Sequence, residues 1–334
     1  MLLAGDIGGT KTLLGLFDPR TPRPEPIVVR SFGTLAFHDL PAMIAEFVHD
    51  EAVSDHVIDA ACFGVAGPVI GEAAELTNVP WRVDARHVAK AFKLSHVQLL
   101  NDLQAMAYSV TVLRDSEVHV LQEGTAQREG NMALIAAGTG LGEALLHHMD
   151  ERLFPSPSEG GHADFPARNE REIALTRYLI GRYGRADIEH VISGRGFLNL
   201  FRATHHHPCE AGIDPDHPGT GDAPAEISAA ALARRCAACV EVLDMFVDAY
   251  GAEAGNLALR ALATGGVFVG GGIAPKILPA LTTGAFMRAF REKPPLEAML
   301  SATPVKVILN PEAGLLGAAV YAAGAGRWKL EIRN

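Results

Sequence analysis

Three shortages mark this chain, and each excludes a class of protein. Cysteine is the first: 334 residues carry only four, irregularly spaced, so no disulfide framework holds the fold. Basic residues are the second. Lys and Arg number 29 against 39 Asp and Glu, a formal net charge of −10. A protein that neutralises a phosphate backbone wants a basic stripe, so no nucleic acid is expected as partner. Long apolar runs are the third. The longest stretch without Asp, Glu, Lys or Arg, Ala261 to Pro275, is full of glycine and falls short of the roughly 20 residues that span a bilayer, so no membrane is expected either. The first residues, Met1-Leu2-Leu3-Ala4-Gly5-Asp6, reach a carboxylate too early for a secretory apolar segment, which makes the cytoplasm the expected compartment. At 48% hydrophobic and 20% charged the composition is globular, with length for about two domains.

Glycine is in excess, 34 residues or about 10% against a usual figure near 7%. The glycines cluster at Gly8-Gly9, Gly138 to Gly142, Gly160-Gly161, Gly265-Gly266 and Gly270 to Gly272. Clusters at strand ends suggest backbone brought close to a ligand, although tight turns alone would also use them.

The first segment reads as strands at Leu2 to Ile7, Thr12 to Asp18 and Pro26 to Ser31, a helix at Pro41 to Asp50, and a buried strand at Val57 to Val65. A short helix at Ala85 to Phe92 and a buried strand at Val97 to Leu100 complete a mixed α/β domain. The pattern then restarts with strands at Met132 to Ala137 and Glu143 to His148 around a second glycine turn. Two glycine-turned hairpins suggest a duplicated architecture with a cleft between halves. Helical periodicity follows at Leu175 to Tyr183, Ile227 to Tyr250 and Asn256 to Leu262, and a small-residue helix at Glu312 to Ala323 closes the chain. Ala203 to Pro224, rich in Pro, Gly, Asp and His, reads as a surface loop without an assigned role.

Five motifs can carry chemistry. In Asp6-Ile7-Gly8-Gly9-Thr10-Lys11-Thr12 a glycine turn can press its amides on phosphate, and the carboxylate before it can reach a metal ion, directly or through water. It is no Walker loop, since Thr10 stands where glycine is required, and a plain hairpin is the other reading. Gly138-Thr139-Gly140-Leu141-Gly142 suits phosphate contact too, but Glu143 breaks the dinucleotide fingerprint. Asn101-Asp102 follows a buried strand at the end where open α/β sheets place ligands. Taken alone, Asp102 reads first as a cap for the next helix; it could equally take a proton from a hydroxyl while Asn101 holds a neighbouring one. Glu159, Gly160, Gly161 and His162, with Glu189 downstream, offer acceptors for sugar hydroxyls. Gly265 to Ile273 is a buried strand running into a glycine turn against which a flat ring could lie.

A metal reading is weaker. His162 and Asp164 have no cysteine near them, since none lies between Cys62 and Cys209. Cys236-Ala237-Ala238-Cys239 and His205-His206-His207 offer zinc-ligand types. The cysteines, however, are spaced i, i+3 on an Ala-rich helix and the histidines lie in a loop. Core packing and a solvated loop are the expected roles.

In this order the motifs resemble the bacterial glucokinases of the hexokinase superfamily. The resemblance rests on GDIGGTKT (Gly5 to Thr12), GVAGPV (Gly64 to Val69), LTNVPW (Leu76 to Trp81), LLNDLQAMA (Leu99 to Ala107), AAGTGLGEA (Ala136 to Ala144) and EGGHADF (Glu159 to Phe165). It continues through EHVISGRG (Glu189 to Gly196), GNLAL (Gly255 to Leu259), GGVFVGGGIAP (Gly265 to Pro275) and GLLGAA (Gly314 to Ala319). The resemblance implies an α/β, actin-like ATPase (ribonuclease H-like) fold of two domains with a central cleft. The small domain would be 1–112, with a final helix at 311–330 returning to it, and the large α+β domain 113–310. It further implies ATP-dependent phosphorylation of glucose with Asp102 as general base. Asn101, Glu159, His162 and Glu189 would hold sugar hydroxyls. Asp6, Gly8, Gly9 and Thr10 would form one phosphate loop, with Gly138, Thr139, Gly140 and Gly142 forming the other, and Gly270, Gly271 and Gly272 would face adenosine. Mg2+ is the implied cofactor, and a homodimer the implied assembly. The zinc motif of the related ROK group is absent after His162. A sugar sensor without catalysis and an actin-like filament or chaperone ATPase are the competing readings; the sensor would have no need of Asp102, and the ATPase no need of the sugar-binding set.

Overall fold

Alternation starts at the amino terminus. Leu2 and Ala4 face one side of the first strand, Leu3 and Ile7 the other, and all four are buried. Both faces of the sheet must therefore be covered by other elements. The computed structural model describes residues 1–76, 79–150, 152–205, 208–214 and 222–324. It divides into two units, Met1–Arg114 with the chain from Asn310, and Asp115–Leu309.

The first unit is built on strands β1 (Leu2–Ile7), β2 (Lys11–Asp18) and β3 (Glu25–Gly33), followed by helices α1 (Leu40–Val48) and α2 (Glu51–Ser54) and strand β4 (Ala60–Val65). Strands β5 (Val69–Ile70), β6 (Ala73–Glu75) and β7 (Arg82–Asp84) come next, then helix α3 (Ala85–Phe92), strand β8 (His96–Asn101) and helix α4 (Asp102–Ser109). The main sheet has the order β3-β2-β1-β4-β8, with β1 antiparallel to β2 but parallel to β4. One face packs Leu3, Ile7, Leu14 and Phe63 against Met43, Ile44 and Phe47 of α1. The other packs Leu2, Ala4 and Leu100 against Ala105 and Tyr108 of α4 and against the last helix of the chain.

The second unit contains β9 (Val118–Gln122), β10 (Met132–Ala137), β11 (Leu141–Met149) and β12 (Arg152–Ser158), then helices α5 (Glu170–Tyr183), α6 (Gly194–Thr204), α7 (Ala223–Leu232) and α8 (Ala237–Ala261). Strand β13 (Gly266–Gly270), helices α9 (Leu278–Leu281), α10 (Ala285–Arg291) and α11 (Glu297–Ala302) and strand β14 (Val305–Ile308) complete it. Its sheet runs β12-β11-β10-β13-β14-β9. Here β10 is antiparallel to β11 and parallel to β13, so the hairpin-then-parallel plan of the first sheet recurs. Helix α12 (Ala313–Ala323) belongs to the first unit. None of the described helices is long and apolar enough to cross a membrane.

Several boundaries differ from the sequence reading. The strand expected from Val57 begins only at Ala60, and Val57 itself is 78% exposed. The helix expected over 227–250 is two helices, and the one expected over 256–262 is the end of α8. Its break carries Arg234 at φ 53 and Cys236 as an extended N-cap. No glycine or proline marks that break; it closes through the Arg234 and Arg235 amides, which donate to the Ala231 and Ala230 carbonyls at 2.9 Å each. The small sheet β5-β6-β7 was not foreseen, its strands being two or three residues long. In the motif that lies there, Leu76 and Trp81 are buried, while Thr77 and Asn78 fall outside the described residues. So do His206, His207, part of the loop 203–224, and the closing stretch 325–330.

Small residues let α12 lie close to α4. A Cβ added at Gly317 would meet the Ala105 carbonyl oxygen at 1.7 Å. That oxygen is backbone in a packed helix and cannot swing aside. Gly317→Ala should therefore destabilise the first unit by roughly 1–3 kcal/mol, read as a lower urea midpoint. An unchanged midpoint would mean that the two helices can separate freely.

Candidate active site

In the first unit, strand order places the charged residues. Asp6 near the end of β1 pairs in register with Gly64 of β4, and Val65 pairs with Asn101 of β8. These strands are parallel, so their carboxyl ends lie side by side. Gly64 keeps the gap open: a Cβ there would lie 3.5 Å from the Asp102 Cα and 2.8 Å from the Ala105 Cβ. Gly314, in the first turn of α12, comes near from another side, and a Cβ there would be 2.8 Å from Asp6 Oδ2. Burial first, and then the Asp102 carboxylate, push Asp6 up to about 6, against the opposing pull of Lys11.

The cap of α4 falls to Asn101 rather than Asp102. Asn101 Oδ1 accepts from the Leu103 and Gln104 amides at 3.0 and 3.3 Å, and its Nδ2 donates to the Gly67 carbonyl at 3.4 Å. Its amide oxygen is thus engaged by protein, which leaves mainly the second Nδ2 hydrogen for a ligand. Asp102 stands at the first helical position, its Oδ1 accepting from the Leu103 amide at 2.8 Å. The glycine turn beside them is held from behind. Gly8 donates to the Lys11 carbonyl at 3.1 Å, Thr34 Oγ1 to the Gly8 carbonyl at 2.8 Å, and the Thr34 amide to the Thr10 carbonyl at 3.0 Å.

In the second unit the 138–142 turn closes by Gly138 donating to the Gly140 carbonyl at 2.8 Å, and Gly194, opening α6, donates to the Gly138 carbonyl at 2.8 Å. Glu189 ties this turn to the 159–162 loop. Its Oε2 accepts from the Leu141 amide at 2.9 Å, and its own amide donates to the Gly161 carbonyl at 2.8 Å. Glu159 and His162 are exposed and share a 3-10 turn in which the His162 amide donates to the Glu159 carbonyl at 3.0 Å. The sequence reading brought Glu159, His162 and Glu189 into one loop cluster, and this unit holds them there.

Three glycine assignments change. Gly142 pairs with Ala136 inside β11, a strand position rather than part of the turn. Gly270 is buried in β13, its carbonyl accepting from Tyr250 Oη at 3.3 Å, and Gly271 at φ +83 sits against Ala137, where a Cβ would come within 2.2 Å of a carbonyl. Only Gly272 of the three lines a cavity of about 470 Å³, together with Gly138, Thr139, Arg195, Ser228 and Lys276. Backbone packing, which no sequence spacing reveals, decides which glycine of a run is open.

Three further residues bear on this site and were missed. Arg195 and Lys276 put two cations on the cavity wall; each stands next to a glycine motif, and that was the signal available. Asp187 lies under the loop, its side chain only 10% exposed, with Oδ2 3.6 Å from His162 Nδ1 and Oδ1 accepting from the His190 amide at 2.8 Å. His190 stacks on Tyr183 at 4.3 Å, so Asp187 is anchored in a rigid frame. Asp187→Ala should free the His162 ring and raise the KM for the sugar at least several-fold, with a smaller effect on kcat, in steady-state kinetics. An unchanged KM would remove Asp187 from the site.

The glucokinase family model matches residues 3–325. The glucokinase of Nostoc punctiforme is 37% identical over 340 residues, covering 97% of this chain and 99% of that protein. Among solved structures, the glucokinase of an Antarctic psychrotroph superposes with a TM-score of 0.83 at 29% identity, covering 96% of this chain and 98% of the other. A ROK family glucokinase from Streptomyces griseus, solved with glucose and AMPPNP, has a TM-score of 0.63 at 22% identity over 96% of this chain and 98% of its own, a likeness of fold alone. With a family match running over nearly its whole length, the chain belongs to the glucokinase family.

Proposed function

We propose that this chain transfers the γ-phosphoryl group of ATP to the 6-hydroxyl of glucose, with Asp102 as general base. One observation carries the base assignment. Asn101 takes the helix cap, so Asp102 is left beside Asp6 at the carboxyl ends of parallel strands. Phosphoryl transfer asks little strength of its base, since its transition state needs positioning and charge stabilisation most.

Asp102 accepts the proton as the sugar oxygen attacks phosphorus and the bond to ADP breaks, giving glucose 6-phosphate. Glu159, His162, Glu189 and the Asn101 side-chain amide hold the other hydroxyls. With the Gly8 and Gly138 amides closing the two turns, those of Gly9, Thr10, Thr139 and Gly140 are the ones offered to phosphate oxygens, and the adenosine end fits the cavity lined by Gly272, Arg195 and Lys276. Asp6 fits a hard cation, because its carboxylate sits half-buried next to a second one with only Lys11 drawing its pKa down. Mg2+ held there, directly or through water, would neutralise phosphate charge. A cytoplasmic homodimer belongs to the same proposal, and sedimentation of the purified chain tests its assembly.

A coupled assay for ADP release decides among the readings. Release that requires glucose supports the kinase. Release without sugar would point to an ATPase of another kind, and sugar binding without release to a sensor.

A further inference from the structure

We infer that the second unit holds a structural zinc ion between His205, Cys209, Cys236 and Cys239. Cys236 and Cys239, expected in core packing, and His205, expected in a solvated loop, meet Cys209 at one point: their ligand atoms all lie within 4.8 Å of one another. Cys236 and Cys239 are buried at the start of α8, and His205 and Cys209 follow the end of α6.

The distances are those of a coordination tetrahedron. With a zinc–sulfur bond of about 2.3 Å and a zinc–nitrogen bond of about 2.0 Å, the sulfur–sulfur edge is about 3.8 Å and the sulfur–nitrogen edge about 3.5 Å. Cys209 Sγ lies 3.7 Å from Cys236 Sγ and 3.8 Å from Cys239 Sγ. His205 Nε2 lies 3.7 Å from Cys236 Sγ and 3.9 Å from Cys239 Sγ. All four cysteines are free thiols, so none of these pairs is a disulfide.

The surroundings favour a ligand as well. His205 Nδ1 donates to the Phe201 carbonyl at 3.1 Å, which fixes the tautomer that leaves the Nε2 lone pair facing the sulfurs. Phe201 stacks on the ring with centroids 3.5 Å apart. Cys236 is the N-cap of α8 and Cys239 stands in its first turn, so the Cys-x-x-Cys pair opens the helix. Three soft thiolates and an imidazole, closed on all four sides, suit zinc in a structural rather than a catalytic role.

The position gives the ion a task. It ties the far end of α6 to the start of α8, and the near end of α6 supplies Gly194 and Arg195 to the nucleotide cavity. The ion would brace that cavity from behind without touching substrate.

The test is metal analysis of the full chain purified under reducing conditions without chelator, then dialysed against Zn2+ and metal-free buffer. One equivalent of zinc per chain is expected, and cobalt in its place should give the thiolate charge-transfer band and intense visible bands of a tetrahedral site. Titrating the thiols with a mercurial reagent should release that equivalent, a readout that needs no variant. Cys209→Ser and Cys236→Ser/Cys239→Ser should each lose the equivalent and raise the KM for ATP more than that for glucose. Absence of zinc after dialysis, an octahedral cobalt spectrum, or zinc retained in the double variant would overturn the assignment and leave a thiol hydrogen-bond cluster.

Discussion

Replacing Asp102 with Ala should lower kcat by at least about 10² to 10⁴, the usual range for a general base, while glucose still binds. The reason is local. Asp102 is at the first turn of α4, whose cap is supplied by Asn101, so removing the carboxylate leaves the helix start intact. Asp102→Asn should do nearly as much harm, since an amide of the same shape cannot take the proton. Rapid-mix kinetics and a binding titration with glucose separate the two effects. Turnover near that of the native chain in either variant would end the assignment of the base. Lost sugar binding in both would instead make Asp102 a substrate ligand first.

Asp6→Asn should do two opposite things. Activity should fall by about 10² or more, because the carboxylate proposed to hold Mg2+ at the phosphates is gone. Stability of the free protein should rise above neutral pH. The sign follows from the pKa. Burial and Asp102 raise Asp6 to about 6, so the folded chain holds this proton more tightly than the unfolded chain does. Its favourable contribution is complete below the ordinary carboxyl value of 3.8 and is lost as the pH climbs through about 6. Above that the native protein carries an ionised carboxylate at a cost of about 1–3 kcal/mol, allowing for the partial exposure of the side chain. The variant avoids this cost. Its Tm advantage should therefore be small at about pH 4 and grow up to about pH 7, as read by calorimetry without nucleotide. A constant difference across that range would mean that Asp6 is ionised throughout.

Much of the first unit was legible from sequence because the evidence for it is local. Helix α3 spans Ala85–Phe92 as expected, because Asp84 Oδ1 accepts from the Arg86 and His87 amides and a left-handed Lys93 ends it. Apolar runs ahead of the two glycine turns marked β1 and β10, since a strand covered on both faces is nearly all apolar, with Asp6 at the end of β1 the exception. The break between α7 and α8 was not legible, as Ala-rich periodicity runs straight through it. Nor was Asp187, whose significance depends on which loop lies above it.

Residue type and spacing by themselves determined the groups on offer: carboxylates at strand ends, glycine-rich turns, and an excess of negative charge. Those properties belong to side chains and short backbone segments, so no folding is needed to see them. Tertiary structure decided which groups act together. It gave the helix cap to Asn101 and left Asp102 beside Asp6, it opened Gly272 while closing Gly271, and it gathered a histidine and three thiols from the end of α6, the chain after it and the start of α8. Each of these depends on contacts between residues distant in the chain, and a linear pattern carries no record of which distant atoms will meet.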